Sequence, residues 1–108
     1  MAQNFRRYTS NDVGTSAATL LTANSYDTIV GISVANVAAT SVIASVYIND
    51  GTNDIYLVKD APIPVGSALQ VLDGGAKFVV QSGDALKVIS DTASSLDVWV
   101  SAVDDIST

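Results

Sequence analysis

Ile55-Tyr56-Leu57-Val58-Lys59-Asp60, Ala61-Pro62-Ile63-Pro64-Val65-Gly66, Ser67-Ala68-Leu69-Gln70-Val71-Leu72, Asp73-Gly74-Gly75, Ala76-Lys77-Phe78-Val79-Val80-Gln81, Ser82-Gly83-Asp84 and Ala85-Leu86-Lys87-Val88 follow one another without interruption. Each apolar run is too short for a helix to be stable, and each break carries Gly, Pro or Asp, the residues that set turn dihedrals. The stretch therefore reads as short β-strands cut apart by tight turns. Pro62 and Pro64 interrupt ladder pairing, which predicts a loop or an edge crossing between sheets over Ala61–Gly66.

The flanking sequence has the same grammar. Upstream, Thr28–Asn36 alternates, with Val30, Ile32 and Val34 on one face against Gly31 and Ser33. Ser41–Asn49 does so through Val42, Ala44, Val46 and Ile48, leaving Ile43, Ser45, Tyr47 and Asn49 on the other face. Asn49-Asp50-Gly51-Thr52-Asn53 is a hairpin signal, because Asp-Gly supplies positive φ. Downstream, Leu86, Val88 and Ser90 face one way, a Ser-rich turn covers Asp91–Ser95, and the last strand points Leu96, Val98, Val100 and Ala102 inward and Asp97, Trp99 and Ser101 outward. Ala17–Thr22 is a further short strand and Asn24–Asp27 a turn. About eight or nine strands with frequent turn signals predict an all-β fold, a single antiparallel β-sandwich, with a small closed barrel as the alternative. Residues 1–12 read as an extended N-terminal arm and residues 13–108 as the sandwich domain.

Composition narrows the function. The chain has 108 residues, 48% of them apolar, enough for one domain with its own core. It has no Cys and no His, which excludes a disulfide framework, argues against a zinc site and removes the usual base of Ser and Cys hydrolases. All 11 acidic residues are Asp, and they are spread through turns, where a short carboxylate accepts hydrogen bonds from nearby backbone N–H groups. A net charge of −6 argues against nucleic acid as a partner, since neutralising phosphates needs clustered Lys and Arg. No run approaches the roughly 20 apolar residues of a membrane helix, and the segment Ser16–Ala23 is too short and polar for a signal peptide. The expectations are no membrane partner, no targeting peptide, no cofactor, no metal and no enzymatic activity. Asp50-Gly51-Thr52-Asn53-Asp54 lacks the alternating acids and closing Glu of a calcium loop, and a hairpin turn accounts for it.

Candidate interaction residues are few. Arg6-Arg7-Tyr8 is the basic cluster of the chain; the arm carries two Arg against Asp12, the remainder three Lys against ten Asp. A basic arm on an acidic body suits docking on an acidic neighbour, or it is an ordinary terminal strand. Trp99, flanked by Asp97 and Ser101, is either an exposed anchor for a protein or sugar, or a closure of the core edge. Tyr47 and Tyr56 lie on the two strands of one hairpin and can pair across it.

Four phrases bear a family likeness: Ile29–Asn36, Asp54–Leu69, Gly83–Val88 and Leu96–Ser101. In this order they resemble small β-sandwich virion proteins of tailed bacteriophages, and the opening Arg7–Ser16 resembles the start of such proteins in phages of marine bacteria. The resemblance implies a non-enzymatic particle component: a capsid decoration or cement protein that binds the major capsid protein or other virion subunits through its arm and sheet edges. It implies many copies or a homo-oligomer, assembled in the host cytoplasm and located in the virion. The alternatives are a tail or baseplate subunit and a carbohydrate-binding host-attachment module. The interface residues expected are Arg6, Arg7, Tyr8, Tyr47, Tyr56 and Trp99.

Overall fold

The computed structural model describes residues 4–23, 27–72 and 78–104. These form nine strands in two antiparallel sheets, with no helix among them: β1 (Asn4–Val13), β2 (Ala18–Thr22), β3 (Asp27–Asn36), β4 (Val42–Asn49), β5 (Asp54–Ile63), β6 (Ala68–Leu72), β7 (Phe78–Val80), β8 (Ala85–Ser90) and β9 (Leu96–Asp104). One sheet runs β1-β9-β3-β6, with β7 beside β6 on β3; the other runs β2-β8-β4-β5. The turn expected at Asp73-Gly74-Gly75 and most of that at Asn24–Asp27 lie outside the described residues.

The core lies between the sheets, and strand alternation supplies it. Leu96, Val98, Val100 and Ala102 on β9, Val42, Ala44 and Val46 on β4, and Leu86 and Val88 on β8 are all buried. Bulges adjust this phase on several strands, β3, β2 and β1 among them. On β3, Ile29 pairs with Ala102 and Gly31 with Ser101, so Val30 is an extra residue. Ile29 therefore takes the core position expected of Val30 and is fully buried, while Val30 is half-buried. On β2, a shift between Thr19 and Leu21 lets the consecutive Leu20 and Leu21 both face inward. On β1, the pairing steps from Ser10–Val98 to Val13–Leu96 through Asp12, whose φ of 55° suits a residue type that tolerates the left-handed region.

β5 departs from the expectation of a loop after Asp60. It continues as a strand through Pro62 to Ile63, because it is the outer strand of its sheet and Pro62 needs no partner on the open side. Two further bulges break its pairing with β4, and Asp60, at φ 56°, donates its N–H to the Ser45 hydroxyl at 2.9 Å. The crossing between sheets then occurs at Pro64–Ser67, where Gly66 takes φ 76° and the Ser67 N–H bonds the Pro64 carbonyl at 3.1 Å. The expected β4–β5 hairpin forms, with Gly51 at φ 95° and the Asp50 carboxylate accepting from the N–H groups of Asn53 (2.7 Å) and Thr52 (3.0 Å). Those two bonds, Asn53 first, hold the Asp50 carboxyl below the usual range.

Two buried polar residues tie the sheets together at one end. Ser95 donates its hydroxyl to the Thr92 carbonyl (2.7 Å) and its N–H to the Val13 carbonyl (3.0 Å), and the Ser90 and Ser95 hydroxyls lie 2.6 Å apart. Asn36 donates its amide to the Thr40 and Ile63 carbonyls at 2.9 and 3.0 Å and accepts the Ala38 N–H at 2.8 Å. Nearby, Asp91 accepts the Ile43 N–H at 3.0 Å; this bond, followed by the Thr92 hydroxyl, holds its carboxyl below the usual range.

Two substitution sets test this architecture by equilibrium urea unfolding. Ile29→Ala is expected to destabilise by about 2–5 kcal/mol and Val30→Ala by about 1 kcal/mol or less; the reverse order would place Val30 on the core face. Ser95→Ala is expected to lose about 1–3 kcal/mol, because the buried Ser90 hydroxyl is left without the acceptor of its proton and the half-buried Thr92 carbonyl without its donor.

Candidate functional site

The outer face of the β1-β9-β3-β6 sheet brings together Arg7 and Trp99, two of the six residues that the sequence singled out. Its registers align Thr9, Trp99, Ser33 and Gln70 in one row across four strands. Trp99 points outward and is 52% exposed, which decides between the two readings of this residue in favour of the surface. Its indole N–H donates to the Ser101 hydroxyl at 3.3 Å, and the Arg7 guanidinium lies 5.7 Å from the ring centroid. The indole therefore leans towards the Arg7–Ser101 side of its row. On the other side a groove of about 390 Å³ opens, lined by Thr9, Asn11, Ser33, Ala35, Asp97 and Trp99. Several polar groups there are already engaged: Asp97 Oδ1 accepts the Asp12 N–H at 3.2 Å, and the Ser33 hydroxyl accepts the Gln70 amide at 3.0 Å.

Strand alternation divides Arg6-Arg7-Tyr8. Arg7 lies on the outer face opposite Ser101, whereas Arg6 and Tyr8 are paired with the inward-facing Ala102 and Val100. Tyr8 packs against the core, and Arg6 is exposed. At the far end of the same outer face, Phe5 and Val79 are 81% and 67% exposed.

Tyr47 and Tyr56 sit on the outer face of the other sheet. They pair across the β4–β5 hairpin with ring centroids 5.0 Å apart and planes inclined by 40°. The Lys59 ammonium stands 5.0 Å from the Tyr56 centroid, and Lys87 on β8 is the register partner of Tyr47 on its other side. Tyr47 is 8% exposed although it faces away from the core. Burial pushes its phenol up, with the Asp54 carboxylate and then Tyr56 adding to the shift. Asp54 itself accepts the Asn49 amide at 2.7 Å. The two surfaces thus lie back to back: Arg7 and Trp99 on one sheet, Tyr47 and Tyr56 on the other. Among the described residues no group of three Asp side chains could hold a metal ion.

The residues that sequence reasoning missed are the groove walls: Thr9, Asn11, Ser33 and Ala35. Their placement depends on which strands flank β9, and no local pattern carries that information.

No protein-family model matches the chain, and no curated protein sequence matches it. Solved structures do share its fold. A pentameric capsid protein isolated from metagenomic phage sequences superimposes with a TM-score of 0.54 at 19% identity, over 94% of this chain and 60% of that one. A second structure of such a protein gives the same score and identity, with 62% of that chain covered. This chain therefore spans about three fifths of the length of those capsid proteins. A structure of Bacillus endospore appendages, described as disulfide-linked pili, matches at a TM-score of 0.56 and 14% identity over 98% of this chain and 88% of that one. All three are structural proteins of particles or filaments, not enzymes.

Tyr47 gives a test of this geometry. A phenol whose pKa is raised by folding ionises first in the unfolded chain, so stability is expected to fall as the pH rises beyond about 10. Tyr47→Phe is expected to flatten that alkaline decline in thermal unfolding between pH 9 and 11, numbers that bracket the ordinary tyrosine value of about 10. An unchanged decline would mean that Tyr47 is freely solvated.

Proposed function

We propose that this chain is a non-enzymatic structural subunit of a tailed-phage particle, a capsid decoration or cement protein present in many copies and bound to the major capsid protein or to other virion subunits. The observation that carries the reading is the superposition of nearly the whole chain on a phage capsid protein. These 108 residues contain no Cys and so supply no thiol for a cross-link of the kind that gives the disulfide-linked pili their name. The opening phrase Arg7–Ser16 favours a phage of marine bacteria, and assembly takes place in the host cytoplasm.

The sheet edges support neighbour contacts made through residues 1–12. β5 is guarded by two bulges, by Pro62 and by the charged pair Lys59-Asp60, all devices that discourage strand addition. β1 is different. Asn4–Ser10 keep unbroken register with β9 and leave a straight, bulge-free edge carrying both Arg side chains. A neighbouring acidic strand added there would complete the sheet. A second reading, a carbohydrate-binding attachment module, draws on the half-exposed Trp99 beside its polar-walled groove.

Quantitative mass spectrometry of purified virions tests the proposal. Copies on the order of hundreds per particle are expected for a capsid-wide role under quasi-symmetric assembly. About a dozen or fewer would move the protein to the tail, baseplate or a vertex, and its absence from purified particles would sink the reading. A glycan array with Trp99→Ala as control addresses the carbohydrate reading: binding lost in the variant supports it, and no binding by the parent chain removes it.

A further inference from the structure

The outer face of the β1-β9-β3-β6 sheet is poor in charge for a protein with a net charge of −6. Among the described residues that regular register places on it, Arg7 and Asp97 are the charged ones, and Asp12 lies at its rim in the β1 bulge. Small side chains, among them Gly31, Ser33, Ala35 and Ala68, keep the middle of the face low. Arg7 is level with Ser101 and Asp97 lies four residues before Ser101 on β9, so their backbone positions are about 14 Å apart along the strands, with the Arg7 guanidinium reaching back towards Thr9 and Trp99. Trp99 is halfway between Ser101 and Asp97. Its indole leans to the Arg7 side, and the groove opens on the Asp97 side.

We infer that two copies of this chain pack through these outer faces, related by a two-fold axis that lies in the contact plane and crosses the strands at the Thr9–Trp99–Ser33 row. That single rotation exchanges the two sides of the row. It carries the Trp99 indole of each copy into the groove of the other, and it sets Arg7 of each beside Asp97 of the other. A knob beside its own hole, and a cationic and an anionic residue on opposite sides of one line, are what an isologous contact requires. The Asp97 carboxylate, with one oxygen on the Asp12 N–H, has acceptor capacity left for a guanidinium.

The Trp99 N–H already has a protein partner, so a sugar in the groove would stack on the indole without accepting from it. Four strands, β1, β9, β3 and β6, lie side by side on this face, so the sheet of a second copy can lie flat against it. The contact engages the Arg7 side chain but leaves the backbone edge of β1 open, so it does not depend on the particle contacts proposed above.

Sedimentation and light scattering on the purified full chain, from low to high micromolar concentration, test the pairing. The parent chain is expected to be dimeric. Trp99→Ala and Arg7→Asp are each expected to weaken the dimer at least about tenfold while leaving the thermal unfolding of the monomer nearly unchanged. The double exchange Arg7→Asp with Asp97→Arg restores the opposite charges across the axis and is expected to recover the dimer. The inference is overturned if the parent chain stays monomeric throughout, if Trp99→Ala or Arg7→Asp leaves the dimer intact, or if the double exchange fails to recover it. A parent monomer that binds an oligosaccharide through Trp99 would assign the groove to a sugar instead.

Discussion

The buried hydroxyl of Ser95 holds the place on which the rest of the structure depends. One proton per hydroxyl dictates the order of the bonds around it: the Thr92 N–H donates to the Ser90 oxygen, Ser90 to Ser95, and Ser95 to the Thr92 carbonyl. The ring closes on itself with no water needed, and each bond polarises the next. Through its backbone the same residue reaches further. The Ser95 N–H bonds the end of β1 at Val13, and its carbonyl accepts the N–H of Val37, just past the end of β3. Strands of both sheets are therefore fixed against one residue immediately before β9 begins. Gly14 completes the junction, since a Cβ there would stand 3.1 Å from the backbone nitrogen of Ser94. With Ser95 fixed, the phase of β9 follows: Leu96 falls inward and Trp99 outward.

Much of this fold is legible in the sequence, for a physical reason. β9 has two clean faces because it is central in its sheet and free of internal bulges against β1 over Val98–Asp104, so a period of two carries through it. β4 and β8 are legible on the same ground. The failures sit where a strand gains a residue. Val30 continues the alternation of its strand by composition, yet the pairing with β9 inserts it as a bulge and passes the core position to Ile29. Nothing within β3 marks that step; it is a property of the ladder, not of the strand. Pro62 misleads in the opposite sense, because a proline that ends a central strand is harmless on an edge, and edge position is decided by strand order.

The site shows the same division. Trp99 and its polar flanks can be read from β9 alone. The groove beside it cannot, because its walls come from β1 and β3, strands distant in sequence that strand order brings to either side of Trp99. Tyr47 is a further case. It belongs to the outward set of β4, yet it is 8% exposed, with the Tyr56 ring beside it from β5 and Lys87 opposite it on β8. Sequence periodicity reports the face of a sheet on which a residue lies. It does not report whether the neighbours on that face cover it.

Charge placement links the fold to assembly. A chain with a net charge of −6 repels its own copies, and at physiological ionic strength that repulsion is screened only beyond about 8 Å. Close contact between copies is therefore least opposed where fixed charge is sparse. Asp50, Asp84 and Asp91 are spent in turns at the ends of the sandwich, each accepting backbone N–H groups. Asp54 and Asp60 lie along the guarded β5 edge. The broad outer face of the β1-β9-β3-β6 sheet is left with one cation and one anion in regular register. The turn chemistry that gives this sequence its short strands also keeps its negative charge at the rims, and the face that it clears is the one that carries Trp99.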